Sequence, residues 1–307
     1  MKFRFNSFAE MSDILAAGRI SPEDYAVKRE AFISGRSEDA ILREIDRRIA
    51  VTRASIVKGL AEPQFSRSGL TLGAAAAFYG SKRQLVTNML FRRAVSYALA
   101  INEVNACGGK IVAFPTAGSS GIVSGTIWAW WDGSSGVKGE DDAAIPPMLK
   151  PPFPSRLRGA FLVSGLAGVI IAQQATLAGS EGGCQAECGS AGAMAACALA
   201  YLEGLPIDAC FSAAALSLKN CLGLACDPVA GLVEVPCVKR NAFIAVNSLL
   251  AVDLALSGIR SAIPFDDVVL AMKQIGGMMP VNLRENAQGG LAATPSGMSV
   301  KQMINNK

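Results

Sequence analysis

The sequence predicts a mainly α protein: a compact multi-helix domain with Gly-rich and Cys-bearing loops, preceded by an N-terminal helical arm. Three observations carry this. Apolar residues recur at helical spacing on otherwise charged stretches, as Ile41, Ile45 and Ile49 do. Convincing β alternation is missing, and no segment repeats at solenoid spacing. Ala, Gly and Ser are abundant while aromatics make up only 7% of the 307 residues, which suits closely packed helices. The chain is 51% hydrophobic and 18% charged, enough apolar material for a large core.

Residues 1–60 read as the arm. Ser21-Pro22-Glu23-Asp24 places an N-cap residue, a proline at the first helical position and acids in the first turn. Ser37-Glu38-Asp39 repeats the start signal, and the isoleucine stripe behind it needs either the main domain or a partner chain to cover it. Residues 61–307 form the main domain. A glycine-bearing loop surrounds Ser68-Gly-Leu-Thr-Leu-Gly73, and a long helix is expected from about Gln84 to Ala106, stopped by Gly108-Gly109. Ile111 to Phe114 is a short apolar run before Pro115. The stretch 131–156, with prolines at 146, 147, 151, 152 and 154, reads as an exposed loop after Trp128, Trp130 and Trp131. From Leu157 onward helical patterning dominates, broken by cysteine-bearing corners.

Charge and hydropathy exclude several functions. The net charge of +4 is mild and its basic residues interleave with acids, as in Arg43-Glu-Ile-Asp-Arg-Arg48, so no nucleic-acid footprint is expected. Gly159 to Ala172 is apolar but shorter than the ~20 residues of a bilayer span. Asn241 to Ile259 carries Asn247, Ser248 and Asp253; both read as buried core helices, so no membrane partner is expected. The N-terminus lacks the apolar core of a signal peptide. Eight cysteines without a secretion signal argue for reduced thiols and a cytoplasmic location.

Three cysteines sit on Gly- or Pro-flanked corners: Cys184 in Glu181-Gly-Gly-Cys-Gln-Ala-Glu187, Cys226 in Leu224-Ala-Cys-Asp-Pro228, and Cys237 in Glu234-Val-Pro-Cys-Val-Lys-Arg-Asn241. Cys184 precedes the helix-like run Gln185 to Leu202, where amide donors and the helix dipole favour a thiolate. Rigid corners suit an Fe–S cluster, and three thiolates on a four-iron cluster leave one iron open. Zinc fits less well, because close Cys-x2-Cys pairs are missing and the chain has no histidine. The competing reading is a set of small buried hydrophobes, which is the one preferred for Cys188, Cys197, Cys210 and Cys221. A second constellation, Pro115-Thr-Ala-Gly-Ser-Ser-Gly121, brings Thr116, Ser119, Ser120 and Gly121 to a helix start able to hold an anion, or forms an ordinary turn. Lys239, Arg240 and Asn241 follow Cys237 closely; Arg240 could hold a carboxylate with paired donors, or the group could be a solvated helix start. The loop Asn286 to Gly297 offers further backbone donors.

These stretches resemble the α chain of bacterial iron–sulfur-dependent L-serine dehydratases. The matching motifs are Asn102-Glu-Val-Asn-Ala106, the Pro115–Gly121 loop, Gly182–Glu187, Leu218-Lys-Asn220 through Asn241, and Ala287-Gln-Gly-Gly-Leu-Ala-Ala-Thr-Pro295. The resemblance implies a [4Fe-4S] cluster on Cys184, Cys226 and Cys237, no pyridoxal phosphate, and deamination of L-serine to pyruvate and ammonia. It also implies a β chain carrying a histidine-containing motif, in a hetero- or homo-oligomer. The general base is expected from that β chain, with Lys239 as a distant second, and the substrate carboxylate on Thr116, Ser119, Ser120, Gly121, Arg240 and Asn241. The chain departs from the family at Thr71-Leu-Gly-Ala-Ala75, where the usual pattern is Thr-Gly-Gly-Asp-Ala, in the Pro- and Trp-rich loop, and at Cys188. Three rivals stay open: a related [4Fe-4S] lyase such as an L-cysteine desulfidase, a non-catalytic scaffold subunit, and a broken-helix transporter.

Overall fold

The computed structural model describes residues 2–134 and 145–306. The arm is three helices, α1 (Phe8–Gly18), α2 (Pro22–Ser34) and α3 (Glu38–Ala61). Each begins on a serine whose hydroxyl accepts a first-turn amide: Ser7 from Glu10, Ser21 from Asp24 and Ser37 from Ala40, at 3.1, 3.1 and 3.2 Å. Such caps contribute ~1 kcal/mol each. The isoleucine stripe of α3 faces the bundle: Ile41 and Ile49 are buried and Ile45 half-buried. The arm is therefore covered by its own chain, and Met11, Tyr25, Ile49 and Ile56 belong to the same hydrophobic cluster as the bundle.

The bundle continues with α4 (Ala74–Tyr79), α5 (Met89–Ala106), α6 (Ser120–Ser134), α7 (Ser155–Gln174), the single turn α8 (Gly179–Gly182), α9 (Ser190–Leu202), α10 (Ile207–Lys219), α11 (Cys237–Leu256), α12 (Phe265–Met278) and α13 (Pro295–Asn305). Among the described residues β structure is confined to two isolated bridges, Phe65 with Leu72 and Cys226 with Arg284. Helix α9 is the hub. It packs on α6, α7, α10 and α11, and all its side chains are buried except that of Tyr201. An Ala-rich hub lets four neighbours approach closely. Helix α5 is sandwiched in the same way. A Cβ added to Gly121 would lie 2.3 Å from the Ala98 carbonyl oxygen, one at Gly125 2.7 Å from the Ala98 nitrogen, and one at Gly59 2.7 Å from the Ala100 Cβ. Backbone-to-backbone contact of α6 and α3 on α5 requires those glycines.

Two boundaries differ from expectation. Helix α5 starts at Met89, not near Gln84, because Asn88 takes the cap and accepts the Phe91 amide at 3.1 Å. The expected exposed loop after the tryptophans is instead helix as far as Ser134; the expectation for 135–144 lies outside the described residues. Trp128 is fully buried and donates to Thr52 Oγ1 at 2.9 Å. Asp132 accepts both guanidinium nitrogens of the buried Arg53, at 2.7 and 3.1 Å, and the Tyr97 hydroxyl at 2.8 Å. That ion pair holds the end of α6 against α3 and α5. Helix α7 is long and apolar enough to cross a membrane by length and composition alone, and 61% of its apolar window is buried inside the protein.

Candidate active site

The three corner cysteines come from separate turns that the fold fastens to one another. Before Cys184, Gly183 adopts φ 74°, and a Cβ there would meet the Met279 sulfur at 2.6 Å and the Leu224 carbonyl at 2.8 Å. Only glycine fits. After Cys184 a single π-helical turn, Gln185–Gly189, leads into α9; such turns re-aim side chains inside a helix. The buried Gln185 accepts the Gly223 amide at 2.9 Å and donates to Met272 O at 3.0 Å, while its own amide donates to Leu224 O at 3.1 Å. These bonds tie the Cys184 turn to the loop that carries Cys226.

Cys226 is held by the C-terminal segment. Its amide donates to Leu283 O at 2.9 Å and its carbonyl accepts the Glu285 amide at 2.7 Å. Next to it, Asp227 accepts the Leu291 amide at 2.8 Å and Arg240 at 3.4 Å. Cys237 opens α11. One turn later Asn241 donates to Cys237 O at 3.0 Å and to Gly118 O at 2.8 Å, drawing the hydroxyl-rich loop onto the same helix start.

All three thiols are buried and free of disulfides, and the charge of Cys184 acts on both Cys226 and Cys237. The Cys184 thiol falls to about 6, first through its hydrogen bond with Cys188 and then through the charge and hydrogen bond of Arg240; Cys188 is pushed up in return. Burial, then the Cys184 charge, raises Cys226 and lifts Cys237 to about 12. Arg240 is raised despite its burial because it sits against Cys184, Cys188 and Asp227, and it also donates to Ala225 O at 2.8 Å. Cys188 and Arg240 thus favour the thiolate at Cys184, while burial favours the thiol at Cys226 and Cys237. Two carboxyls face the same space. Glu187 rises to about 7, through burial and then the charges of Glu285 and Cys184, and it accepts from Thr116. Ligand atoms of Glu187, Cys226 and Glu285 lie within 4.8 Å of one another and could hold a metal ion. A Cβ on Gly179 of α8 would lie 2.9 Å from Glu187 Oε2 and 3.0 Å from Glu285 Oε2, so α8 walls the pocket without filling it.

Of the residues singled out from sequence, the fold gathers Cys184, Cys226, Cys237, Arg240, Asn241 and Thr116. Ser119 is buried and bonded to Thr116 across 2.8 Å between hydroxyl oxygens. The Ser120 hydroxyl is taken by Asn102 Oδ1 at 3.0 Å, and Gly121 faces α5. Lys239 is exposed on the first turn of α11. Glu187 and Glu285 were missed as site residues. Glu187 stood inside the quoted Cys184 motif, three positions on, which is the same helical face; Glu285 carried no such signal. Glu234 was missed too. It accepts the hydroxyls of Ser68 at 2.6 Å and Thr71 at 2.5 Å, and so docks the atypical Thr71–Ala75 loop beside the Cys237 turn. There Glu103 accepts the amides of Ala74 and Ala75 at 2.7 and 3.1 Å.

Fold and site together define an all-α protein with a buried thiol-and-carboxyl pocket beside a hydroxyl-rich loop. Comparison with known proteins gives that class its family. The family model for the serine dehydratase alpha chain matches residues 13–292, and the chain belongs to this family. It is 42% identical over 303 residues to a protein of Bacillus subtilis (strain 168) called probable L-serine dehydratase, alpha chain, covering 98% of this chain and 95% of that one. It is 38% identical over 300 residues to the L-serine dehydratase, alpha chain, of Peptoniphilus asaccharolyticus, covering 97% of each. L-serine dehydratase 1 of Escherichia coli (strain K12) is 38% identical over 200 residues, 64% of this chain and 40% of that protein.

Proposed function

We propose that this chain is the α subunit of an L-serine ammonia-lyase that deaminates L-serine to pyruvate and ammonia, acting with a β chain in the cytoplasm. The observation that supports it best is the meeting of Cys184, Cys226 and Cys237 around Arg240 and Glu187, beside the Thr116 loop.

The donor set fits a [4Fe-4S] cluster. Three buried, unpaired thiols meet from separate rigid turns. Among the described residues the group compact enough for one ion is instead Glu187, Cys226 and Glu285, so the three thiols suit a larger centre with corners. Next to Cys237, Asn241 Oδ1 is buried without a hydrogen-bond partner. Cys184, Cys226 and Cys237 would hold the cluster, and when bound it supplies an open iron that acts as a Lewis acid on the substrate hydroxyl.

The Thr116 and Ser119 hydroxyls bond each other and so shape the loop whose remaining amides would face the substrate carboxylate, and Arg240 supplies positive charge beside it. The surrounding burial excludes water from the reacting centre. We assign removal of the Cα proton to a group on the β chain. On this chain Glu187 is better placed than Lys239, because it lies half-buried beside Thr116 and Cys226 whereas Lys239 is exposed. The released aminoacrylate tautomerises and hydrolyses to pyruvate and ammonia in water.

Anaerobic purification with iron and sulfide assays, and visible spectra before and after adding L-serine, test this reading. About four irons per chain and a spectrum that shifts with L-serine are expected. A colourless, iron-free protein after anaerobic reconstitution would leave the chain a scaffold. A shift with L-cysteine alone would move it to the desulfidases.

A further inference from the structure

L-serine carries an ammonium as well as a carboxylate and a hydroxyl, and the ammonium needs a partner of its own. Two carboxyls stand between the hydroxyl-rich loop and the Cys226 corner. Glu187 comes from the π-helical turn after Cys184, and Glu285 is placed by its amide, which donates to Cys226 O at 2.7 Å. A ligand atom of each lies within 4.8 Å of the other and of the Cys226 sulfur. Glu187 also abuts the loop. It accepts from Thr116, and a Cβ built on Gly118 would lie 3.8 and 3.9 Å from its two carboxylate oxygens. The two Oε2 atoms converge on space that stays open because residue 179 is glycine: a Cβ there would lie 2.9 and 3.0 Å from them.

Nearby positive charge is engaged elsewhere. Arg240 is held by Cys184, Asp227 and Ala225 O, and Arg284 donates to Met279 O and Gly277 O. Among the described residues neither Glu187 nor Glu285 is in a salt bridge. A buried acceptor also lacks a donor: Asn241 Oδ1, on the side chain whose Nδ2 holds Gly118 O and Cys237 O. Facing carboxylates favour a cation between them, and an ammonium brings several donors to such acceptors. A metal ion on these atoms would need the Cys226 sulfur, whereas an ammonium needs the carboxyls alone. We infer, resting on the lyase reading above, that Glu187 and Glu285 form the subsite for the substrate's ammonium and so select amino acids over other carboxylic acids.

L-alanine, which has no hydroxyl to lose, and propionate, which lacks the ammonium, are the probes. Each is titrated by anaerobic calorimetry into the iron-loaded protein with its partner chain. L-alanine should bind in the range of about 1–10 mM and propionate about tenfold more weakly. Glu187→Gln and Glu285→Gln, compared at equal iron content and equal helical circular dichroism, should each weaken L-alanine about tenfold. Propionate should bind as before or more tightly, since a like charge is removed. Absence of saturable L-alanine binding at about 100 mM would overturn the inference. So would L-alanine affinity that survives both substitutions, or equal losses for the two probes. One Zn2+ per chain, lost in Glu285→Gln, would give the carboxyls to a metal and overturn it as well. L-serine turnover by the same unsubstituted preparation tests the lyase reading separately, so the subsite can fail while that reading stands.

Discussion

Asn241 reaches from α11 to the carbonyl oxygen of Gly118, 2.8 Å away, and so fastens the hydroxyl-rich loop to the helix that begins with Cys237. Gly118 O also accepts Asn102 Nδ2 at 3.1 Å, so the loop has a second anchor. Asn241→Leu should therefore fold, with a stability loss of about 1–3 kcal/mol. Its kcat/KM for L-serine should fall by about tenfold or more, since the loop and the cysteine turn lose their common register. Urea unfolding and initial rates on one preparation check both parts.

Asp227 joins the Cys226 corner to both Arg240 and Leu291. Asp227→Ala removes both links and leaves a buried guanidinium one partner short. A loss of about 2–3 kcal/mol is expected, together with faster amide exchange over residues 283–291. Exchange that stays at the unsubstituted level there would mean that the corner is held by its backbone bonds alone.

The Arg53–Asp132 pair is the buried charge pair that holds α6 on the arm. Arg53→Leu leaves the Asp132 carboxylate with the Tyr97 hydroxyl but no counter-charge, and should destabilise by about 3–5 kcal/mol. Adding Asp132→Leu should return part of that loss, because the double variant carries no orphaned charge. A double-mutant cycle by denaturant unfolding measures the coupling directly.

Two glycine substitutions should act with opposite sign. Gly125→Ala forces a methyl against the backbone of Ala98 and should cost about 1–3 kcal/mol. Gly165→Ala meets open space within a helix and should stabilise by up to about 1 kcal/mol. Melting temperatures of the pair, read side by side, decide it.

Local signals were legible where one residue type did one job. The serine caps of the arm, the isoleucine stripe and the cysteine corners all sit where their sequence places them. The start of α5 was less legible, because the cap at Asn88 competes with helix-forming residues before it. The continuation of α6 through Trp131 and Asp132 was hidden. Nothing near Asp132 announces that Arg53, far upstream, neutralises it. The same holds at the site. The cysteines advertise themselves by their glycine and proline neighbours. Glu285 joins them only through the backbone pairing of Cys226 with Leu283 and Glu285, a long-range fact with no local trace. Ser120 and Gly121 looked alike in the loop, and helix packing separated their roles from that of Thr116.

The pairing of Cys226 with residues 283–285, and of Asp227 with Leu291, also bears on how the protein is made. A growing chain exposes Cys184, Cys226 and Cys237 well before residues 283–291 have left the ribosome. Until then Cys226 lacks the two backbone bonds of its own amide and carbonyl, although Leu224 and Ala225 beside it can already pair with Gln185 and Arg240. The C-terminal segment is thus the last piece of the Cys226 corner to be made, although it lies far along the chain from the cysteine it holds.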